Sequence, residues 1–130
     1  MAVTVADVSN PLATKLVIDA ATDTNSNAAE DNVTGAAGIM YYVQIDNKNN
    51  AAATYVKAGD VANATPSTTS ADWVFYAAAS TKTSYVIETG VAFSTALSFW
   101  GTSTAANGSA ATTVAQTDPG NPVTTKILTT

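Results

Sequence analysis

The chain is 130 residues long, carries a formal net charge of −5, and contains no Cys, no His and no Arg, its five basic residues being Lys15, Lys48, Lys57, Lys82 and Lys126. These absences exclude thiolate and imidazole catalysis and His/Cys zinc sites, and they remove the bidentate guanidinium clamp used on phosphate and guanine. Ten acidic residues against five lysines make a nucleic-acid partner unexpected.

The apolar content points to strands. Of the residues counted as hydrophobic, 26 are Ala, while 13 Val and 5 Ile outnumber 4 Leu, and Thr is present 22 times. Side chains branched at Cβ suit a pleated surface better than a helix. So many small residues leave a thin core, and association with a larger surface would add burial that the monomer lacks.

Residues 2–8 (AVTVADV) and 13–20 (ATKLVIDA) read as strands split by Asn10-Pro11, with residues 1–12 as an N-terminal arm or first strand and 13–130 as one sandwich domain. No basic leader and no long apolar run occurs there, so neither a signal peptide nor a membrane span is expected. Residues 21–35 are polar and aperiodic, a loop. Residues 38–46 (GIMYYVQID) alternate, predicting Ile39, Tyr41, Val43 and Ile45 on one face and Met40, Tyr42, Gln44 and Asp46 on the other. The Asn/Asp-rich turn at 46–50 then predicts a hairpin whose return strand is 51–59.

Further along, residues 72–79 (DWVFYAAA) read as a strand with Trp73, Phe75 and Ala77 opposed to Val74 and Tyr76. Strands at 82–88 and 90–100 are expected to be joined by a turn at Thr89-Gly90, followed by a polar stretch at 101–111, a short segment at 112–116, the turn Asp118-Pro119-Gly120-Asn121-Pro122, and a last strand at 123–129. About eight short strands without a long helix predict an all-β protein, an antiparallel β-sandwich or jelly-roll-like barrel.

Candidate sites are few. The run Asp19…Asp23-Thr24-Asn25-Ser26-Asn27…Glu30-Asp31 offers the oxygen ligands a Ca²⁺ ion needs. It fails as an EF-hand loop, with Ala28 where Gly is required and no Glu at the twelfth position, so a solvated loop of Asx turns is expected. Glu30 and Glu88 are the only Glu residues, a poor basis for the carboxylate pair of a glycosidase. Gly35-Ala36-Ala37-Gly38 lacks the Lys of a phosphate loop. No enzymatic activity, cofactor or metal is therefore expected. The aromatics Trp73, Phe75, Tyr76, Phe99 and Trp100 could form a docking platform, and since Phe99 and Trp100 cannot both point inward from one regular strand, one of them should meet solvent or a partner. Trp73, Phe99 and Trp100 are the expected interface residues.

The segments YYVQIDNKNNAAATYVKAGD (41–60) and ETGVAFSTALSFWGTST (88–104) resemble small virion structural proteins of tailed bacteriophages. The matching positions are Ile45, Asp46, Asn47, Tyr55, Val56, Lys57, Gly90, Val91, Ala92, Phe93, Ser94 and Thr95, and the resemblance covers residues 38–104. It implies a β-rich, non-enzymatic protein that is soluble before assembly. Its expected place is the capsid exterior, as a decoration or cement protein on the major capsid protein or other virion proteins, with neither membrane nor nucleic acid as partner. A homo-oligomer is expected, and a tail, neck or fibre component that binds a host glycan is the alternative. Without Arg, any partner must be held by backbone pairing, aromatics and small apolar surface, so association should respond only mildly to salt.

Overall fold

A computed structural model describes residues 2–7, 15–20 and 28–130. Among them the protein is all-β, an antiparallel sandwich of eight strands without a helix: β1 (Ala2–Asp7), β2 (Lys15–Ala20), β3 (Gly38–Asp46), β4 (Thr54–Asp60), β5 (Trp73–Ala77), β6 (Lys82–Phe93), β7 (Leu97–Thr102) and β8 (Thr124–Thr129). One sheet has the order β1-β2-β8-β3-β6 and the other β5-β4-β7. The N-terminal residues 2–7 form a paired strand, with Val3 opposite Asp19 and Val5 opposite Val17. Asn10-Pro11 lies outside the described residues.

The core lies between the sheets. Met40, Val43, Ile45, Phe93 and Ile127 of the larger sheet face Val56, Ala58, Phe75, Ala77, Leu97 and Phe99 of the smaller one. The alternation predicted for β5 is observed, with Phe75 and Ala77 buried while Val74 and Tyr76 are exposed, and β8 alternates too, Thr125, Ile127 and Thr129 facing inward.

Three expectations are corrected. Residues 38–46 and 51–59 do not form a hairpin, since β3 pairs with β6 and β8 while β4 pairs with β5 and β7. Residues 47–53 instead arch from one sheet to the other. Asn47, fully buried, closes this arch: Nδ2 donates to Ala52 O at 3.0 Å and Ala78 O at 3.0 Å, and Oδ1 accepts from Asn50 Nδ2 at 2.9 Å and Thr54 Oγ1 at 2.8 Å. An arch lets the apolar faces of both strands share one core, whereas a hairpin would place them side by side in one sheet.

The second correction concerns the faces of β3. Its register shifts between Met40 and Tyr42, so Tyr41 is an extra residue and the faces exchange there. Met40 therefore joins Val43 and Ile45 in the core instead of sharing a face with Tyr42.

Third, Thr89-Gly90 is no turn between strands. It lies inside β6, where residues 87–90 bulge opposite Tyr41, and the chain reverses later, at residues 94–96. Gly90 has φ +71°, and a Cβ there would lie 2.2 Å from Ile39 Cγ2 and 2.8 Å from Tyr41 Cε1. Gly90→Ala should combine left-handed strain with overpacking and destabilise by about 2–4 kcal/mol, read as a lowered urea midpoint with an unchanged slope.

The resemblance motif has local structural work in this fold. Asp60, at the end of β4, accepts from Ser94 N at 2.7 Å and Ser94 Oγ at 2.8 Å through Oδ2, and from Thr95 N at 2.7 Å through Oδ1. These bonds, led by the Ser94 backbone N–H, hold its carboxyl below the usual Asp range. They fix the β6–β7 turn to the end of β4.

Candidate interaction surface

The outward face of the smaller sheet is divided. In the register of β4, Tyr55 lies between Tyr76 and Thr102, and Lys57 lies between Val74 and Trp100. The half nearer β7 is sealed by the chain itself, because residues 103–121 return across it. Lys57 Nζ donates to Ala106 O at 2.6 Å and to Gln116 Oε1 at 3.0 Å, and Gln116 Nε2 donates to Ala106 O and Val114 O. Thr102 Oγ1 donates to Thr117 O at 2.9 Å, Val114 N donates to Ser67 O, and Asn121 N donates to Asn50 Oδ1 at 2.6 Å. Gly108 fits this seam because a Cβ would lie 1.8 Å from Ser67 O.

The interface residues expected from sequence fall unevenly on this face. Phe99 and Trp100 do point in opposite directions, but each is only 1% exposed. Phe99 is in the core. Trp100 faces away from the core and lies under the 103–121 cover, so neither ring meets solvent. Trp73 is half-buried against the core edge. The accessible apolar strip is instead Val74, 44% exposed, and Tyr76, 46% exposed, with Tyr55 beside Tyr76 at a ring-centroid distance of 5.5 Å. Tyr76 belongs to the aromatic set that could form a docking platform but not to the three expected interface residues. Sequence alternation separates it from Phe75 without saying which face is exposed, and the cover that distinguishes it from Trp100 has no periodicity to reveal it.

The buried Lys57 is the main electrostatic feature. Its two hydrogen-bond acceptors are neutral oxygens, and desolvation lowers its pKa below the ordinary 10.5. Between that lowered value and 10.5 the unfolded chain holds more protons than the folded one, so stability rises with pH; below both values the dependence vanishes. Lys57→Met should abolish this alkaline gain, which amounts to about 1.4 kcal/mol for each pH unit of lowering. The check is urea unfolding of both proteins across the alkaline range, read as the difference between them.

The other polar candidates do not assemble into a site. No group of three or more His, Cys, Asp or Glu that could hold a metal ion occurs among the described residues. Most of the Asp/Asn run lies outside those residues. Of its described end, Glu30 exchanges backbone hydrogen bonds with Phe99 along the edge of β7, and Asp31 Oδ1 accepts from Ala64 N at 2.7 Å. Glu88 is exposed in the β6 bulge. Gly35 belongs to a turn in which its N–H donates to Asn32 O. No helix of the described residues is long and apolar enough to cross a membrane. Compared with known protein families, curated proteins and solved structures, the chain matches none.

Proposed function

We propose that this chain is a non-enzymatic virion structural protein, a decoration (cement) protein that binds the major capsid protein lattice from outside. The observation that carries the reading is the strip of Val74, Tyr76 and Tyr55 on a sheet face otherwise sealed by the chain's own 103–121 segment. Rigid rings on a strand lose little side-chain freedom on docking, and Tyr is enriched in interface cores. The work is mechanical, closing gaps between capsid subunits, and the phage-like segments at 41–60 and 88–104 support the same assignment.

Quantitative mass spectrometry of purified particles tests it. Hundreds of copies per particle, reduced in Tyr76→Ala without loss of fold, are expected. A handful of copies would favour the tail, neck or fibre reading. Trp73, half-buried on the β5 face opposite Tyr76, would then be the ring for a host glycan, and glycan-array binding lost in Trp73→Ala would support that reading. Absence from particles would overturn both.

A further inference from the structure

The two sheets differ in how their edges are closed. Along β7, Glu30 N donates to Phe99 O at 2.8 Å, Phe99 N to Glu30 O at 3.0 Å and Val33 N to Leu97 O at 2.9 Å. On β5, Tyr76 N donates to Tyr85 Oη, and Tyr85 Oη donates back to Tyr76 O. The outer edge of β6 has no such cover among the described residues. Asn47 N donates to Thr81 O, which sets the parity of the β3–β6 ladder. Thr81, Thr83 and Tyr85 turn their backbone groups toward β3, so Lys82, Ser84 and Val86 turn theirs away from the sheet. Val86 is also the most exposed large apolar residue described, at 73%.

An open edge of this kind pairs with other strands unless something blocks or satisfies it. Here the side chains specify one partner. Lys82 and Glu88 are both exposed and lie equally far from Tyr85 on either side. When β6 pairs antiparallel with a copy of itself about a two-fold axis at Tyr85, Lys82 falls opposite the second copy's Glu88, and Ser84 opposite its Val86. Each relation occurs twice. The parity also agrees for the pair beside the axis, since 84–86 is then hydrogen-bonded; Glu88 lies at the bulge, where the ladder with β3 no longer sets its backbone direction. Shifting the axis to Ser84 or Val86 keeps the parity but loses both charge pairs. The bulge at residues 87–90 ends the regular ladder with β3, confining the matched segment to one short stretch.

We propose that β6 is a self-association edge, through which two copies join their five-stranded sheets by antiparallel β6–β6 pairing centred on Tyr85. This goes beyond the capsid reading and holds wherever the protein works. The pairing is isologous and closes at two copies, so it consumes the open edge instead of propagating it. Backbone hydrogen bonds supply the affinity and the charge pairs select the register. Lys82 already meets Asp46 at 3.5 Å, so the second copy's Glu88 would add a second carboxylate to a cation that is exposed.

The test is sedimentation of the full chain, with thermal melts as a control for folding. The expected species has twice the 13.2 kDa of one chain. Glu88→Lys sets Lys against Lys twice and should raise the dimer dissociation constant about tenfold or more. Lys82→Glu combined with Glu88→Lys should restore association. Val86→Pro, which removes an outward N–H, should give monomers that still melt cooperatively. Because the chain has no Cys, register can be read directly. Under oxidation, Ser84→Cys with Val86→Cys should give a covalent dimer, and Ser84→Cys alone should not. A wild-type monomer at all concentrations, a dimer indifferent to Glu88→Lys and Val86→Pro, or equal cross-linking by the single Cys variant would each overturn the proposal.

Discussion

Trp100→Ala should lower the stability of the isolated protein by about 3–5 kcal/mol, a fall in Tm of roughly 10–20 °C. The indole is 1% exposed and lies beside Lys57 in the register of β4 and β7, beneath the segment tied down at Ala106, Gln116 and Thr117. Deleting it leaves a void that the cover cannot fill without giving up the Lys57 and Thr102 hydrogen bonds. Among the described residues Nε1 has no hydrogen-bond partner, so the expected loss is one of packing. Tyr76→Ala is the informative contrast. It removes an exposed ring packed beside Tyr55 and leaves the backbone hydrogen bonds to Tyr85 in place, and should cost about 1 kcal/mol. A docking role thus predicts opposite profiles: Trp100→Ala fails in the melt, while Tyr76→Ala melts nearly normally and fails on particles.

Asn47→Ala carries the second large effect, about 2–4 kcal/mol. The side chain is fully buried and satisfies carbonyls of Ala52 and Ala78 while accepting from Asn50 and Thr54. Alanine would leave these groups without partners inside the arch, where water cannot simply replace them. Asn47→Asp should be worse than its near-identical shape suggests, since it puts an oxygen where Nδ2 now donates to two carbonyls. Chemical denaturation of the three proteins at one pH gives both comparisons, and an Asp variant as stable as the wild type would contradict the geometry.

The strands themselves were largely legible, because residues such as Phe75, Tyr76, Thr125 and Ile127 obey a period of two. Features that depend on a single residue or on distant partners were not. Tyr41 is as apolar as its neighbours, and nothing local marks it as the extra residue that brings Met40 inward. Gly90 and Asn47 sit in segments rich in turn-forming residues, a composition that predicts a reversal within a sheet at both places. One proved to be a bulge under Ile39 and the other a crossing between sheets. At the surface, alternation correctly sent Phe99 and Trp100 in opposite directions. The cover over Trp100 is an aperiodic run of Ala, Thr and Gly whose place depends on Lys57, nearly fifty positions earlier.

The strand order has a consequence for how the chain reaches this state. β8 lies between β2 and β3, so pairs such as Lys15–Thr129 and Asp46–Thr124 join residues far apart in sequence. Neither β2 nor β3 can complete its ladder until residues 124–129 arrive, and the crossing at Asn47 denies β3 and β4 the quick local closure of a hairpin. Loop-closure entropy must be overcome before these contacts repay it, which places folding in the millisecond-to-second range typical of such topologies. During that interval β3 exposes Val43 and Ile45 beside unpaired backbone, so the protein should be most vulnerable to aggregation before its last strand has docked.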